Sequence, residues 1–193
     1  MENISQTALY FTIFLLIICF YMKSEEYFNG LVKVTINGNT YKVREDNKLE
    51  SAKKLDKLNE KIIILIKHLD KVDGEYYGVK RLKNRYKASI LSELHKGSSN
   101  TSYSVNKGEK LVVCMRSKDD NTFHDDNTIF FVVLHELAHI MTKSIGHNDE
   151  FWNNFRYLLK HCIEIKLYNF QDFNSNPVDY CGIQITDTPY KMN

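Results

Sequence analysis

The chain has 193 residues, 43% hydrophobic and 26% charged, which suits one packed domain with an appendage and argues against an intrinsically disordered chain. A formal charge of +2 gives no electrostatic argument for a polyanionic partner. Asn, Lys, Ile and Tyr are plentiful and Pro occurs only 2 times, a bias that AT-rich genomes of viral or parasite origin produce and that says nothing of function.

The first element is apolar. No charge lies between Glu2 and Lys23, and Ala8 to Met22 is almost wholly hydrophobic. About twenty uncharged residues in a helix cover about 30 Å, the thickness of a bilayer core. A cleaved leader would want a basic start and small residues at the cut. Here the start is acidic and Cys19-Phe20-Tyr21-Met22 is bulky. Residues 1–24 therefore read as a single-span membrane anchor in the lipid bilayer, and 25–193 as the folded domain. Lys23 and Lys33 follow the span and no basic residue precedes it, which directs the domain to the cytoplasm. Cys114, Cys162 and Cys181 agree, being odd in number with no evident disulfide framework. An Asn100-Thr101-Ser102 sequon argues the other way.

Leu31 to Ile36 and Thr40 to Arg44 alternate around Asn37-Gly38, a hairpin signal. Leu55, Leu58, Ile62, Leu65 and Leu69 predict a helix from about Lys48 to Lys71, stopped by Asp73-Gly74. A second helix is expected from about Glu75 to Lys96, with Leu82, Tyr86, Ile90, Leu91 and Leu94 on one face. Its run Lys80 to Lys87 is rich in basic residues. Nucleic acid could be recognised there, but a solvated helix face with Leu82 and Tyr86 turned inward is the favoured reading. Thr101 to Val105 and Lys110 to Arg116 read as strands across the turn Asn106 to Glu109. After a polar stretch comes an apolar helix with N-cap candidates Asp125 to Thr128. Asp149 to about Leu167 is a further helix, and the tail from Asn169 is loop-rich with a short strand at Gly182 to Thr186.

The apolar helix carries His135-Glu136-Leu137-Ala138-His139, an HExxH sequence. Residues four apart share a helix face, so both imidazoles can reach one Zn²⁺. Glu136, next to the first histidine, can serve as general base for a metal-activated water. A catalytic zinc site needs a third protein ligand and one open position. His147 is the leading candidate, with Glu150, Asp149 and Glu164 as acidic rivals. In an unbroken helix His147 would lie about 12 Å beyond His139, out of reach. The helix must therefore stop near Thr142 or Lys143, with Gly146 allowing the chain to turn back. His68, His95, His124 and His161 have no partner at ligand spacing and read as surface or packing residues, His124 being the one to re-examine.

Asn106 to Val113, HELAH, Gly146-His147 and Phe151-Trp152 together resemble the WLM/SprT-like zincin metallopeptidases, over about Thr101 to Leu159. The resemblance implies a Zn²⁺ site of His135, His139 and His147 with Glu136 as general base. It also implies a peptide docking by strand addition along Leu111 to Met115. The chain departs from the shorter HExxHxxGxxH pattern and shows no Met-turn. Tyr180 is a candidate hydrogen-bond donor to the oxyanion of the transition state.

The sequence thus predicts an α+β zincin-like domain, with a small antiparallel sheet and an HExxH helix, behind a transmembrane helix. Its expected activity is that of a membrane-anchored zinc metallopeptidase acting on peptide or protein. The alternatives are a non-catalytic zinc-binding scaffold and a DNA–protein-crosslink protease.

Overall fold

Asn37 and Gly38 make the first turn, both with positive φ (47° and 81°), as a two-residue hairpin with the right twist requires. They join β1 (Leu31–Ile36) to β2 (Asn39–Arg44) in antiparallel register, Leu31 opposite Arg44 and Ile36 opposite Asn39. This is a computed structural model, and it describes residues 8–18 and 30–191. Helix α1 (Lys48–Asp73) packs on β1, β2 and β3 and on later helices, and buries Leu55, Leu58, Ile62, Leu65 and Leu69.

The expected second helix is shorter and gives way to a strand. Helix α2 (Tyr77–Arg85) ends where Tyr86 turns extended (φ −75°, ψ 131°), and after a 3₁₀ turn the chain forms β3 (Leu91–Glu93). Leu82, Tyr86, Leu91 and Leu94 are all buried, but they lie on different segments. A three-residue strand inside a sheet has no alternation to display, so its apolar residues extended the helical spacing in the sequence.

With β4 (Tyr103–Val105) and β5 (Lys110–Val113), the sheet runs β1-β2-β3-β5-β4. The outer pairs are antiparallel, whereas β2–β3 and β3–β5 are parallel, so the expected antiparallel sheet is mixed. The cause lies in the connection: β2 reaches β3 through two helices, and such a crossover returns the chain parallel. Strand β5 lies inside the sheet, and the edge near the HExxH helix is β4.

Helix α3 (Asp126–Met141) carries the HExxH residues and is capped by Asp125, which accepts from the Thr128 N–H at 2.8 Å. Helix α4 (Asp149–Glu164) is capped by Asn148 and packs on α3. The tail ends in a hairpin of β6 (Val178–Tyr180) and β7 (Ile183–Ile185). A Cys114–Cys181 disulfide ties this hairpin to the end of β5. The three cysteines therefore do contain a pair, hidden by their separation of 67 residues, and no longer argue for a cytoplasmic domain.

The basic run engages the molecule itself. Lys80 pairs with Glu75 and Lys83 with Asp70, Arg81 donates to the Ile140 carbonyl, and Arg85 to the carbonyls of Asn106 and Lys107. Residues 8–18 are helical and display Leu9, Phe11, Phe14 and Leu16 on the surface. They cover about 16 Å of helix, and the rest of the expected span lies outside the described residues. Among the described residues no helix is long and apolar enough to cross a membrane.

Candidate metal centre

Helix α3 stops at Met141, where the reach of His147 requires it to stop. The Ala138 carbonyl accepts both the Thr142 N–H (3.0 Å) and the Thr142 hydroxyl (2.7 Å). Asn154 on α4 donates to that hydroxyl at 2.9 Å, and the Tyr76 hydroxyl donates to Asn154 at 2.6 Å. The returning turn is held by Glu150, whose carboxylate accepts from the N–H groups of Lys143 (2.9 Å) and Ser144 (3.1 Å) and from the Ser144 hydroxyl. The Lys107 ammonium holds the Ser144 carbonyl, and Gly146 adopts φ 86°.

This turn brings His147 back over α3. Its Nε2 lies 3.1 Å from Nε2 of His135 and 3.1 Å from Nε2 of His139. Imidazole nitrogens held tetrahedrally at 2.0–2.1 Å from one ion would be about 3.3 Å apart. One nitrogen facing two others cannot satisfy both with a single proton, whereas a shared cation satisfies all three. Burial, reinforced by the neighbouring histidines, pushes His135 down to about 3. Burial, His147 and Lys107 push His139 down to about 4. Both rings are thus neutral at physiological pH, the form a metal needs. The donor set fits Zn²⁺.

Phe151 lies beneath the trio, its ring centroid 4.8, 4.3 and 4.6 Å from those of His135, His139 and His147. Glu136 is buried beside them, and burial lifts its carboxyl to about 7 against the pull of hydrogen bonds from Ser104 on β4. Tyr180 is fully buried near Glu136 but gives its proton to the Cys114 carbonyl at 2.6 Å, with Ser102 at 2.7 Å on its other side. It is therefore committed to joining the tail hairpin to β5, and the expected oxyanion contact has no free proton behind it. His124 accepts from the Cys181 N–H at 3.2 Å and stacks on Tyr180, so it too belongs to that joint.

Next to His135 and Glu136 opens a cleft of about 290 Å³, walled by Phe131, Trp152 and Phe155 on one side and Ile183, Ile185 and Pro189 on the other. Of the acidic rivals, Glu150 is occupied by the turn, Asp149 is exposed in the first turn of α4, and Glu164 sits beside His68 and His161. Ser104, the Phe151 shelf and the tail wall were not predicted. Only the Phe151-Trp152 pair gave a hint of them, by following Gly146-His147 so closely.

Residues 78–191, more than half of the chain, match the WLM domain. The chain is a member of the WLM family. WLM proteins are zinc metalloproteases, so the helix pair and turn just described sit in a family with the matching chemistry. An uncharacterized protein, R325 of Acanthamoeba polyphaga mimivirus, is 32% identical over 161 residues, covering 81% of this chain and 82% of that protein. Protein 136R of Invertebrate iridescent virus 6, also uncharacterized, is 32% identical over 90 residues, 46% of this chain and 48% of its own. These viral relatives agree with the compositional bias. In fold, this WLM chain is similar to Wss1 of Saccharomyces cerevisiae, with a TM-score of 0.50 and 22% identity over 65% of this chain and 88% of that one.

Proposed function

We propose that this WLM chain is a zinc-dependent metallopeptidase in which His135, His139 and His147 hold the metal and Glu136 is the general base. The observation that carries the reading is the convergence of three Nε2 atoms beside a buried carboxyl whose proton affinity burial has raised. A bound Zn²⁺ supplies Lewis acidity toward the scissile carbonyl and lowers the pKa of water toward 7. Glu136 accepts the proton of the attacking water and passes it to the leaving amine. Strand β4 is the free edge next to Glu136, so an extended substrate adds there as a further strand. The aromatic cleft takes an apolar side chain of that peptide.

Glu136→Gln is the decisive variant. It should retain zinc and fold while losing at least about 100-fold in turnover, the low end for removing a general base. Chelation should abolish cleavage by the wild type, and zinc should restore it. A zinc-binding scaffold predicts no hydrolysis in either protein, and undiminished cleavage by the variant overturns the mechanism. A DNA–protein-crosslink protease requires phosphate contacts, for which Lys80 to Lys87 is the basic run; the ion pairs of Lys80 with Glu75 and Lys83 with Asp70 are exposed, so a phosphate can replace either carboxylate. Cleavage stimulated by DNA and suppressed by salt would favour that reading instead.

The uncharged N-terminal stretch and the exposed apolar side chains of residues 8–18 support anchoring of the domain at a membrane; Lys23 and Lys33 after the stretch favour the cytoplasmic side, whereas the Cys114–Cys181 disulfide favours the opposite one. Flotation of the full chain with vesicles, lost on deleting residues 1–24, tests the anchor. A glycosidase-sensitive mass shift at Asn100 in a eukaryotic host would place the domain on the opposite side.

A further inference from the structure

His68 lies toward the end of α1, and His161 and Glu164 lie in the last turn of α4. The fold brings His68 Nε2 to 3.0 Å from His161 Nδ1, across 93 residues of sequence. The same His161 Nδ1 is 3.3 Å from Glu164 Oε2, and the three ligand atoms all lie within 4.8 Å of one another. A neutral His161 carries at most one proton on Nδ1, and that proton cannot fully serve both short approaches. A cation would serve all three atoms at once.

The surroundings favour positive charge. Both helices point their C-terminal, negative dipole ends toward this region. Asp73 acts on His161 and lies 3.5 Å from the Tyr157 hydroxyl, whose ring packs on His161 at 4.5 Å. Lys160 opposes, 3.9 Å from Glu164, but its side chain is 57% exposed and can turn to solvent.

We propose that His68, His161 and Glu164 form a second metal site that clips α4 to α1. Two imidazoles and one carboxylate suit a first-row divalent ion such as Zn²⁺, Co²⁺ or Ni²⁺ and do not suit Mg²⁺ or Ca²⁺. The clip steadies the far end of the helix that begins beside His147 and carries Phe151. It stands independently of the peptidase reading.

The test is zinc stoichiometry and thermal stability of the full chain in wild type, His147→Ala, Glu164→Gln, and the His68→Gln/Glu164→Gln pair. Wild type should bind two equivalents. The pair should bind one and still respond to Glu136-dependent assays. His147→Ala should keep one equivalent and a zinc-dependent rise in Tm, which then disappears when His68→Gln/Glu164→Gln is added. Glu164→Gln alone changes a half-exposed side chain, and it should weaken the second equivalent about tenfold or more without altering the metal-free Tm. Two full-affinity equivalents in the pair, or no metal in a folded His147→Ala, overturns the second site. Two equivalents in His147→Ala would instead count against the proposed catalytic centre.

Discussion

Phe151 shows how one side chain can set three others. Its ring touches all three imidazoles and is itself fully buried, so the angles at which the histidines present Nε2 depend on it. Phe151→Leu keeps the site apolar but removes the flat surface. We expect zinc affinity to fall about tenfold or more, in the range found for groups that orient ligands from behind, with the fold intact by circular dichroism. Unchanged affinity in a competition titration would show that the rings hold their own orientation. At this scale the sequence was most legible where geometry is local: HExxH declares its face of the helix, and the reach argument selects a broken helix for His147. Ser104 and the tail wall were illegible because they arrive from distant segments. His68 and His161 were read as separate residues for the same reason, although the fold puts them 3.0 Å apart.

At the level of elements, the end of α3 matters more than its beginning. The cap at Asp125 could be read from sequence, while the stop at Met141 depends on a Tyr76–Asn154–Thr142 relay drawn from three segments. Asn154 is 1% exposed, so Asn154→Ala takes the acceptor from the half-buried Tyr76 hydroxyl and the amide donor from the buried Thr142 hydroxyl, which keeps its own bond to the Ala138 carbonyl. A loss of about 1–3 kcal/mol is expected in urea unfolding, together with weaker zinc binding as the turn loosens. Equal stability would show that the relay only accompanies the helix end. The first hairpin and α1 were legible because their signals repeat along the chain. Strand β3 was not, since three buried residues between a helix and a loop carry no period of their own.

Over the whole molecule, a buried ion cluster joins the sheet to α1. Arg116 is fully buried, 3.0 Å from Glu93, and bonds the Ser51 hydroxyl at 2.6 Å and Asp46 at 2.9 Å. Arg44 approaches the same glutamate at 3.8 Å. Arg116→Leu removes the closer cation and leaves Glu93 in a dry interior, so we expect a destabilisation of about 3–5 kcal/mol. A denaturation midpoint within error of the wild type would mean that Arg44 alone compensates. The α+β class was readable from sequence, but the parallel centre of the sheet and its true edge at β4 were not, because strand order is fixed by crossovers that leave no local mark.

The Cys114–Cys181 bridge closes a covalent ring that contains α3, the exposed turn after it, and α4. In the chain-entropy view, closing a loop of 67 residues stabilises the fold by about 4 kcal/mol. The ring also has a consequence for integrity. Lys143, Ile145 and Gly146 are the exposed residues a foreign protease would meet between His139 and His147. A cut there would divide the polypeptide but not the molecule, and all three histidines would stay in one covalent body. Limited proteolysis should therefore give one band without reductant and two with it, and two bands under both conditions would show that the ring is open.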